Sequence, residues 1–165
     1  MLAPEDIDIF RRIRLEALRR EPAAFASSAE DWEVLPDVEW RRRLTANAVF
    51  VDFHDGEPVA MMGLMRQGAS KMAHRATVIM VYVRKDRRGA GHAKALLDAV
   101  VDHARAAGIR LLELALSAEN PTALRFYQRE GFTEIGRVEA GILHEGREID
   151  DIMMTRRIDR DASVG

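Results

Sequence analysis

The chain predicts a single α/β domain in which helices flank a mixed central sheet. Three observations carry this. The opening "PEDIDIFRRIRLEALRREP" and the later "HAKALLDAVVDHARAAG" place apolar residues at helical spacing, while "AVFVDF", "PVAMMGLM" and "ATVIMVYV" are short apolar runs bounded by turn residues and charges. The order of segments is helices, three antiparallel strands, then strand, helix, strand, helix and a closing hairpin, an order that needs both parallel and antiparallel pairing. Residues 1–165 suffice for one domain with a sizeable core.

Each element has its own punctuation. In the first helix Ile7, Phe10, Ile13, Leu15 and Leu18 recur at roughly helical spacing, acids come early and arginines late as the helix dipole favours, and Pro22 marks the end. The segment "AAFASSAEDWEVLP" reads as irregular or partly helical. A short helix over "DVEWRRRL" follows, with Asp37 as its cap and Trp40 and Leu44 four apart. Asp55-Gly56 joins the first two strands as a hairpin turn, because both residues tolerate positive φ. The run "ATVIMVYV" is β-branched and uninterrupted, as a buried central strand would be. Ala93, Leu96, Leu97, Val100, Val101 and Ala104 form one apolar stripe, closed by Gly108. After the strand "LLELALS", Asn120 caps a helix, Pro121 takes its first position and Gly131 ends it. "RVEAGIL" and "EIDDIMMTRRI" pair as a last hairpin through Glu145-Gly146.

Composition narrows the function. Nearly half the residues are hydrophobic and a third are charged, which suits a soluble globular chain. No cysteine is present, so a disulfide framework, a thiolate nucleophile and a cysteine zinc site are excluded, and a reducing, cytoplasmic setting is expected. The net charge of −2 does not suit a nucleic-acid binder, and the charge-broken amino terminus suits neither a signal peptide nor a membrane span. The five histidines show no metal-ligand spacing, so no metal is expected. No G-x-S-x-G element points to a serine hydrolase.

The chemistry concentrates at "VYVRKDRRGAGHAKALLDAVV". Backbone N–H groups at the start of a helix, opened by Gly89 and Gly91, form an anion cradle strengthened by the helix dipole. Arg84, Lys85, Arg87 and Arg88 surround it, which suits a ligand carrying several phosphates. A glycine pair alone is equally compatible with a tight turn and a solvated basic face. The spacing and lysine of a P-loop are missing. A dinucleotide fingerprint would use Gly89 and Gly91 with Glu113 for a ribose, but Lys94 occupies its third glycine position.

These residues resemble the GNAT superfamily of N-acetyltransferases, in a bacterial branch of mostly unassigned substrate. The family's acetyl-coenzyme A signature is similar to Arg88, Gly91 and Ala93 in "RGAGHA", and its later segment to Asn120, Ala123, Tyr127, Gly131 and Phe132 in "NPTALRFYQREGF". The resemblance spans the whole chain and implies one GNAT-like domain with a cofactor-binding core at about residues 76–132. It departs from the family at the start, where only Met1 and Leu2 precede "APED", so the first edge strand is expected to be short or missing. A homodimer is the family-based expectation, with the apolar edge left by that strand as one route to it.

The resemblance also implies roles. Backbone groups of Val81 and Val83 would pair with the pantetheine arm. The amides of Arg88, Gly89, Ala90, Gly91, His92 and Ala93 would take the pyrophosphate, and Asn120 would cap its helix while touching the arm. Tyr127 would be the acid for the departing thiolate. Without cysteine, direct attack by a primary amine of a small molecule or protein is the economical route, and the amine must first lose a proton. For the base, His74 titrates in the useful range. Glu30 and Glu33 lie in the stretch expected to line the acceptor site, and Glu113 or a relayed water are further alternatives. A binding module of the same fold, sensing acyl-coenzyme A without turnover, is the rival reading.

Overall fold

The structure is a computed structural model and describes residues 1–159. Its elements run α1 (Ile7–Arg20), α2 (Ala29–Glu33), α3 (Asp37–Ala46), β1 (Ala48–His54), β2 (Glu57–Arg66), β3 (Arg75–Val83), α4 (His92–Ala106), β4 (Leu111–Ser117), α5 (Pro121–Arg129), β5 (Thr133–His144) and β6 (Arg147–Arg157). The strands form one sheet in the order β1-β2-β3-β4-β6-β5. Only β3 and β4 run parallel, because α4 crosses between them; every other neighbouring pair is antiparallel. The chain is thus the α/β domain with a mixed sheet that its patterning implies.

Side chains alternate across the sheet and build a core on each face. Val49 and Met61 turn toward α1, α2 and α3, where Phe10, Trp32 and Trp40 pack with ring centroids 5.2–6.0 Å apart. Phe50 and Met62, one residue on, face the other way, against the Leu96, Leu97, Val100, Val101 and Ala104 stripe of α4 and against Tyr127 of α5. Ala93 begins that stripe only half-buried.

The turns follow their chemistry. Asp55 and Gly56 take φ of 51° and 78°, and Glu145 and Gly146 take 49° and 75°, so two-residue hairpin turns join β1 to β2 and β5 to β6. Asp37 does not cap α3: the N-cap is Pro36, and Asp37 is the first helical residue, with no side-chain cap bond. The stretch read as irregular or partly helical is partly helical, and a capping box starts its helix. Ser28 Oγ accepts from the Asp31 amide (3.2 Å) while the Asp31 carboxylate accepts from the Ser28 amide (3.0 Å), and these bonds start α2. Among the described residues no strand precedes α1, as expected. A single bond, Leu2 N–H to the Val49 carbonyl (2.8 Å), reaches the outer edge of β1.

One register feature positions everything that follows. β3 pairs with β4 only at Arg75, Ala76 and Thr77, opposite Leu111, Leu112 and Glu113. Beyond that the two strands part, although β3 continues to Val83 and β4 to Ser117. On its other side β3 slips in register against β2 between Met61 and Gly63, and Met80 takes φ of 54°, as a bulge that bends the strand would require. A Cβ on Gly63 would meet Met80 Cε at 2.8 Å and Ile79 Cγ1 at 3.0 Å, so the bulge presses against the one residue of β2 that leaves it room.

Past the bulge, β3 is tied to α1. The Glu16 carboxylate accepts from Arg84 Nε and Nη2 (both 2.8 Å) and from the Tyr82 hydroxyl (2.9 Å). The Arg84 bonds hold Glu16 below the usual carboxylate range against the opposing effect of burial, while burial and Glu16 push the Tyr82 phenol up to about 12. A carboxylate with a depressed folded pKa stabilises fully above its unfolded value of about 4.3, and that stability drains as pH falls through the folded pKa. Glu16→Gln is therefore expected to lower the urea midpoint at neutral pH and to flatten the loss of stability below about pH 4 relative to wild type. Parallel acid limbs for the two proteins would remove Glu16 from this role.

Candidate functional site

The parting of β3 from β4 opens a cleft of about 790 Å³. Along one wall runs the free edge of β3. The Arg84 amide bonds to the Val59 carbonyl on β2, and strand backbones alternate, so the polar groups of Val81 and Val83 turn toward the gap. The Val83 carbonyl already accepts from Arg88 Nε (3.1 Å), whose Nη2 reaches Glu21 (2.6 Å). Arg88 is thereby a strap between the end of β3 and the end of α1 as well as part of the cleft lining.

The elbow forms the end of the cleft. Gly89 and Gly91 take φ of 80° and 89°, and Gly91 is the N-cap of α4. A Cβ at either would meet nothing within 4 Å, so the backbone conformation, not crowding, is what asks for glycine. The first helical bond is from the Ala95 amide to the Gly91 carbonyl, and the amides from Gly91 to Lys94 find no acceptor among the described residues. Gly91, His92, Ala93 and Lys94 line the cleft, whereas Ala90 points to solvent. The His92 ring leaves the cradle: its Nδ1 lies 2.7 Å from Asp52 Oδ2 on β1, anchoring the start of α4.

Positive charge gathers at this end. Arg87 and Arg129 line the cleft, and Arg87 Nε is buried without a hydrogen-bond partner. Lys94 is shared between Asp98 (2.9 Å) and Glu130 (3.7 Å). The helix dipole adds to the field of the arginines.

On the opposite wall Asn120 Oδ1 accepts from the Ala123 amide (3.1 Å), capping α5 as its position implied, and lines the cleft beside Thr122 and Ala123. The cap aims α5 so that Tyr127 enters the cleft from the core side. The Tyr127 ring packs edge-on to Phe126 and Phe132, with centroids 5.1 and 5.4 Å away. Burial raises its phenol well above the usual tyrosine range, and the hydroxyl makes no hydrogen bond among the described residues. Such a group is a poor source of phenolate and a ready hydrogen-bond donor.

The candidate bases are not brought here. His74 stands before β3, at the end where the strand still pairs with β4, and its carbonyl accepts from the Arg110 and Leu111 amides. Seven residues of extended chain, roughly 23 Å, separate it from Val81, and it does not line this cleft. Glu30 faces solvent on α2, and Glu33 is held by Arg19 Nε at 3.0 Å. The α2 residue that turns inward is Trp32. Glu113 is committed to Arg75, Gln67 and Thr77, at 2.5–3.2 Å, which also rules it out as the ribose acid of a dinucleotide site. Motif reading missed Arg129, the Glu16–Tyr82–Arg84 group, and the two cations Arg14 and Arg43 stacked on Trp32. Arg14 was visible in principle, since it falls on the buried stripe of α1 between Phe10 and Leu18.

Residues 13–132 match the model of the Acetyltransferase (GNAT) family. Over 98 residues, 58% of this chain and 43% of the relative, the chain is 31% identical to an uncharacterized N-acetyltransferase of Methanocaldococcus jannaschii. Over 79 residues, 48% of this chain and 46% of the relative, it is 33% identical to the L-methionine sulfoximine/L-methionine sulfone acetyltransferase of Pseudomonas aeruginosa. The match thus spans less than half the length of these curated relatives. The acetyltransferase of the GNAT family from Streptococcus pneumoniae superposes with a TM-score of 0.81 at 20% identity, over 94% of this chain and 95% of that one. The yncA protein of Salmonella typhimurium, solved with its cofactor acetyl-CoA, gives 0.78 at 19% identity, over 99% and 95%. At such identity these structures share the fold.

The elbow makes a direct prediction. Gly91→Ala forces a side chain into the left-handed region at a cost of about 1–2 kcal/mol. Its melting temperature should fall by a few degrees. Gly68→Ala is the control, because its Cβ also meets open space but its φ is not positive; it should leave melting unchanged. Equal behaviour of the two variants would show that the elbow does not depend on Gly91.

Proposed function

This chain belongs to the GNAT acetyltransferase family, and from that premise we propose that it is an N-acetyltransferase that moves an acetyl group from acetyl-coenzyme A directly to a primary amine. The observation that carries the proposal is the pairing of a free strand edge at Val81 and Val83 with unbonded helix amides from Gly91 to Lys94 in one cleft. A coenzyme with a peptide-like arm and a pyrophosphate asks for both: hydrogen-bonding groups along an extended edge for the arm, and amides with a dipole for the phosphates.

In this reading the edge of β3 holds the arm, with the Val83 carbonyl partly taken by Arg88. The amides from Gly91 to Lys94, with Arg87 and Arg129, hold the phosphates, and Arg88 keeps the elbow closed against Glu21. Gly89 and Ala90 shape the turn, while Asn120 and Thr122 face the arm from α5. Bound there, the coenzyme supplies a thioester open to attack by a neutral amine: a C–N bond forms, the C–S bond breaks, the amine loses one proton and coenzyme A leaves as the thiol. Tyr127 Oη donates a hydrogen bond to the sulfur as charge develops there, burial keeps the phenol protonated to high pH, and the thiolate takes its final proton from water. The amine's proton passes to water at the cleft mouth, since none of the carboxylates considered as bases stands free in it.

The acceptor is a small molecule or a protein amine. The Pseudomonas relative's printed acceptors, L-methionine sulfoximine and L-methionine sulfone, are the first to try. We also assign a second copy of the chain to the outer edge of β5, where Ile135, Val138 and Leu143 are at least half exposed. This is the sheet edge opposite the one first considered. Light scattering should give twice the mass of the 165-residue chain, and a Val138→Lys variant should give the single mass.

Thiol release tests the chemistry. Tyr127→Phe should lower kcat by about 10²–10⁴-fold while leaving acetyl-coenzyme A binding and melting temperature unchanged, because the hydroxyl bonds nothing in the fold. The rate should rise with pH as the amine deprotonates, with no falling limb near pH 10, where an ordinary tyrosine would ionise. Coenzyme binding with no thiol release across a broad amine panel would favour an acyl-coenzyme A sensor.

A further inference from the structure

A second cleft, about 390 Å³, adjoins the first, and Ala24 and Phe25 form a wall common to both. Its floor is β3 from Thr77 to Met80, the stretch just before Val81, with Ala115 of β4 beside it. Helices α1, α2 and α3 contribute Arg14, Trp32 and Arg43 to its other side. The two clefts therefore lie end to end along β3, on either side of the bulge.

Arg14 is only 4% exposed. Its guanidinium carbon lies 4.8 Å from the Phe25 ring centroid and 4.5 Å from that of Trp32, but its Nε and Nη1 are buried without a hydrogen-bond partner. No carboxylate among the described residues answers it. Three arginines around the sheet gap differ from it: Arg75 has Glu113, Arg84 has Glu16, and Arg88 has Glu21. The charge that acts on it is another cation, Arg43. Arg43 lies over the same Trp32 ring at 4.2 Å, held by Glu39; burial, and then the Arg43 charge, push Arg14 down to about 10, which leaves it protonated at neutral pH. A buried, uncompensated guanidinium is costly, and a fold that keeps one at a cleft wall gains by receiving an anion there.

We propose that this second cleft is the acceptor subsite and that Arg14, flanked by Arg43, receives a carboxylate, so that the acceptor is a small amine carrying a carboxylate, of the amino-acid type. The proposal rests on the acetyltransferase reading of the adjoining cleft. A volume near the lower end of the small-ligand range suits a free amino acid better than a folded protein surface. The carboxylate docks against the aromatic-walled cations, and its amine is left toward the bulge, where the first cleft begins.

The test compares α- and ω-amino acids with their own carboxamides, which keep the amine and lose the negative charge. Wild-type protein should melt higher in millimolar amino acid than in the matching carboxamide, without acetyl-coenzyme A present, and kcat/KM should favour the acid by at least about tenfold. Arg14→Met should melt at or above wild type, because an apolar chain replaces an unanswered buried charge, and should lose both preferences while keeping its melting shift in acetyl-coenzyme A. Arg14→Lys should restore the preference in part. Equal response of wild type to acids and amides, or an Arg14→Met variant that still prefers the acid, would overturn the proposal. A shift with amino acids but none with acetyl-coenzyme A would sink the coenzyme assignment and leave the anion subsite standing. A shift with acetyl-coenzyme A but none with any amino acid would do the reverse.

Discussion

The structure depends on one interruption: the hydrogen-bonded ladder between β3 and β4 ends after Thr77 and Glu113, while both strands continue. Unpaired backbone polar groups inside a sheet are costly unless something else takes them. Here two features maintain the gap. The bulge at Met80 bends β3 away, against a glycine in β2 that leaves it room. The Glu16 carboxylate then holds Tyr82 and Arg84 to α1, so that the end of β3 belongs to the helical layer as much as to the sheet. The strand edge thus stays open to a ligand.

The arginines sort by the same logic. Those that shape the gap are paired: Arg75 with Glu113 where the ladder still holds, Arg84 with Glu16 past the bulge, and Arg88 with Glu21 and the Val83 carbonyl at the elbow. Paired charges hold a geometry with little residual field. Arg87 at the elbow and Arg14 under Trp32 keep buried nitrogens without a hydrogen-bond partner, Arg87 Nε having only the Asp86 carboxylate at 3.8 Å, and each lines a cleft. A net charge of −2 for the chain conceals this arrangement entirely. It places one anion-hungry end beside the α4 amides and another beside the bulge, with the free edge of β3 between them.

Much of this was legible in the sequence because it depends on local chemistry. Gly91 and Gly131 act where their own backbones need glycine, Asn120 caps the helix that begins beside it, and the stripe of α4 declares its buried face by spacing alone. What was not legible depends on pairing at long range. Glu16 and Arg84 are 68 residues apart and carry no mutual signal. His74 looked useful by its titration range, but titration says nothing of which end of a strand a residue occupies. Glu30 and Glu33 lie on the same short helix as Trp32, but the phase set by the Ser28–Asp31 capping box turns Trp32 inward and leaves them exposed. Arg14 interrupts an apolar stripe, which is a readable sign, but only the folded packing of Phe25 and Trp32 around it reveals that its charge is unanswered.

The ligand that the cleft between β3 and β4 receives decides the function, and calorimetric titration with acetyl-coenzyme A, coenzyme A, NADH and ATP measures it directly. Saturable one-to-one binding of the two coenzyme A species, with at least tenfold weaker binding of NADH and ATP, is the predicted result, since only the former combine a peptide-like arm with a pyrophosphate. Binding of NADH as tight as that of coenzyme A, or no binding by either coenzyme A species, would contradict it.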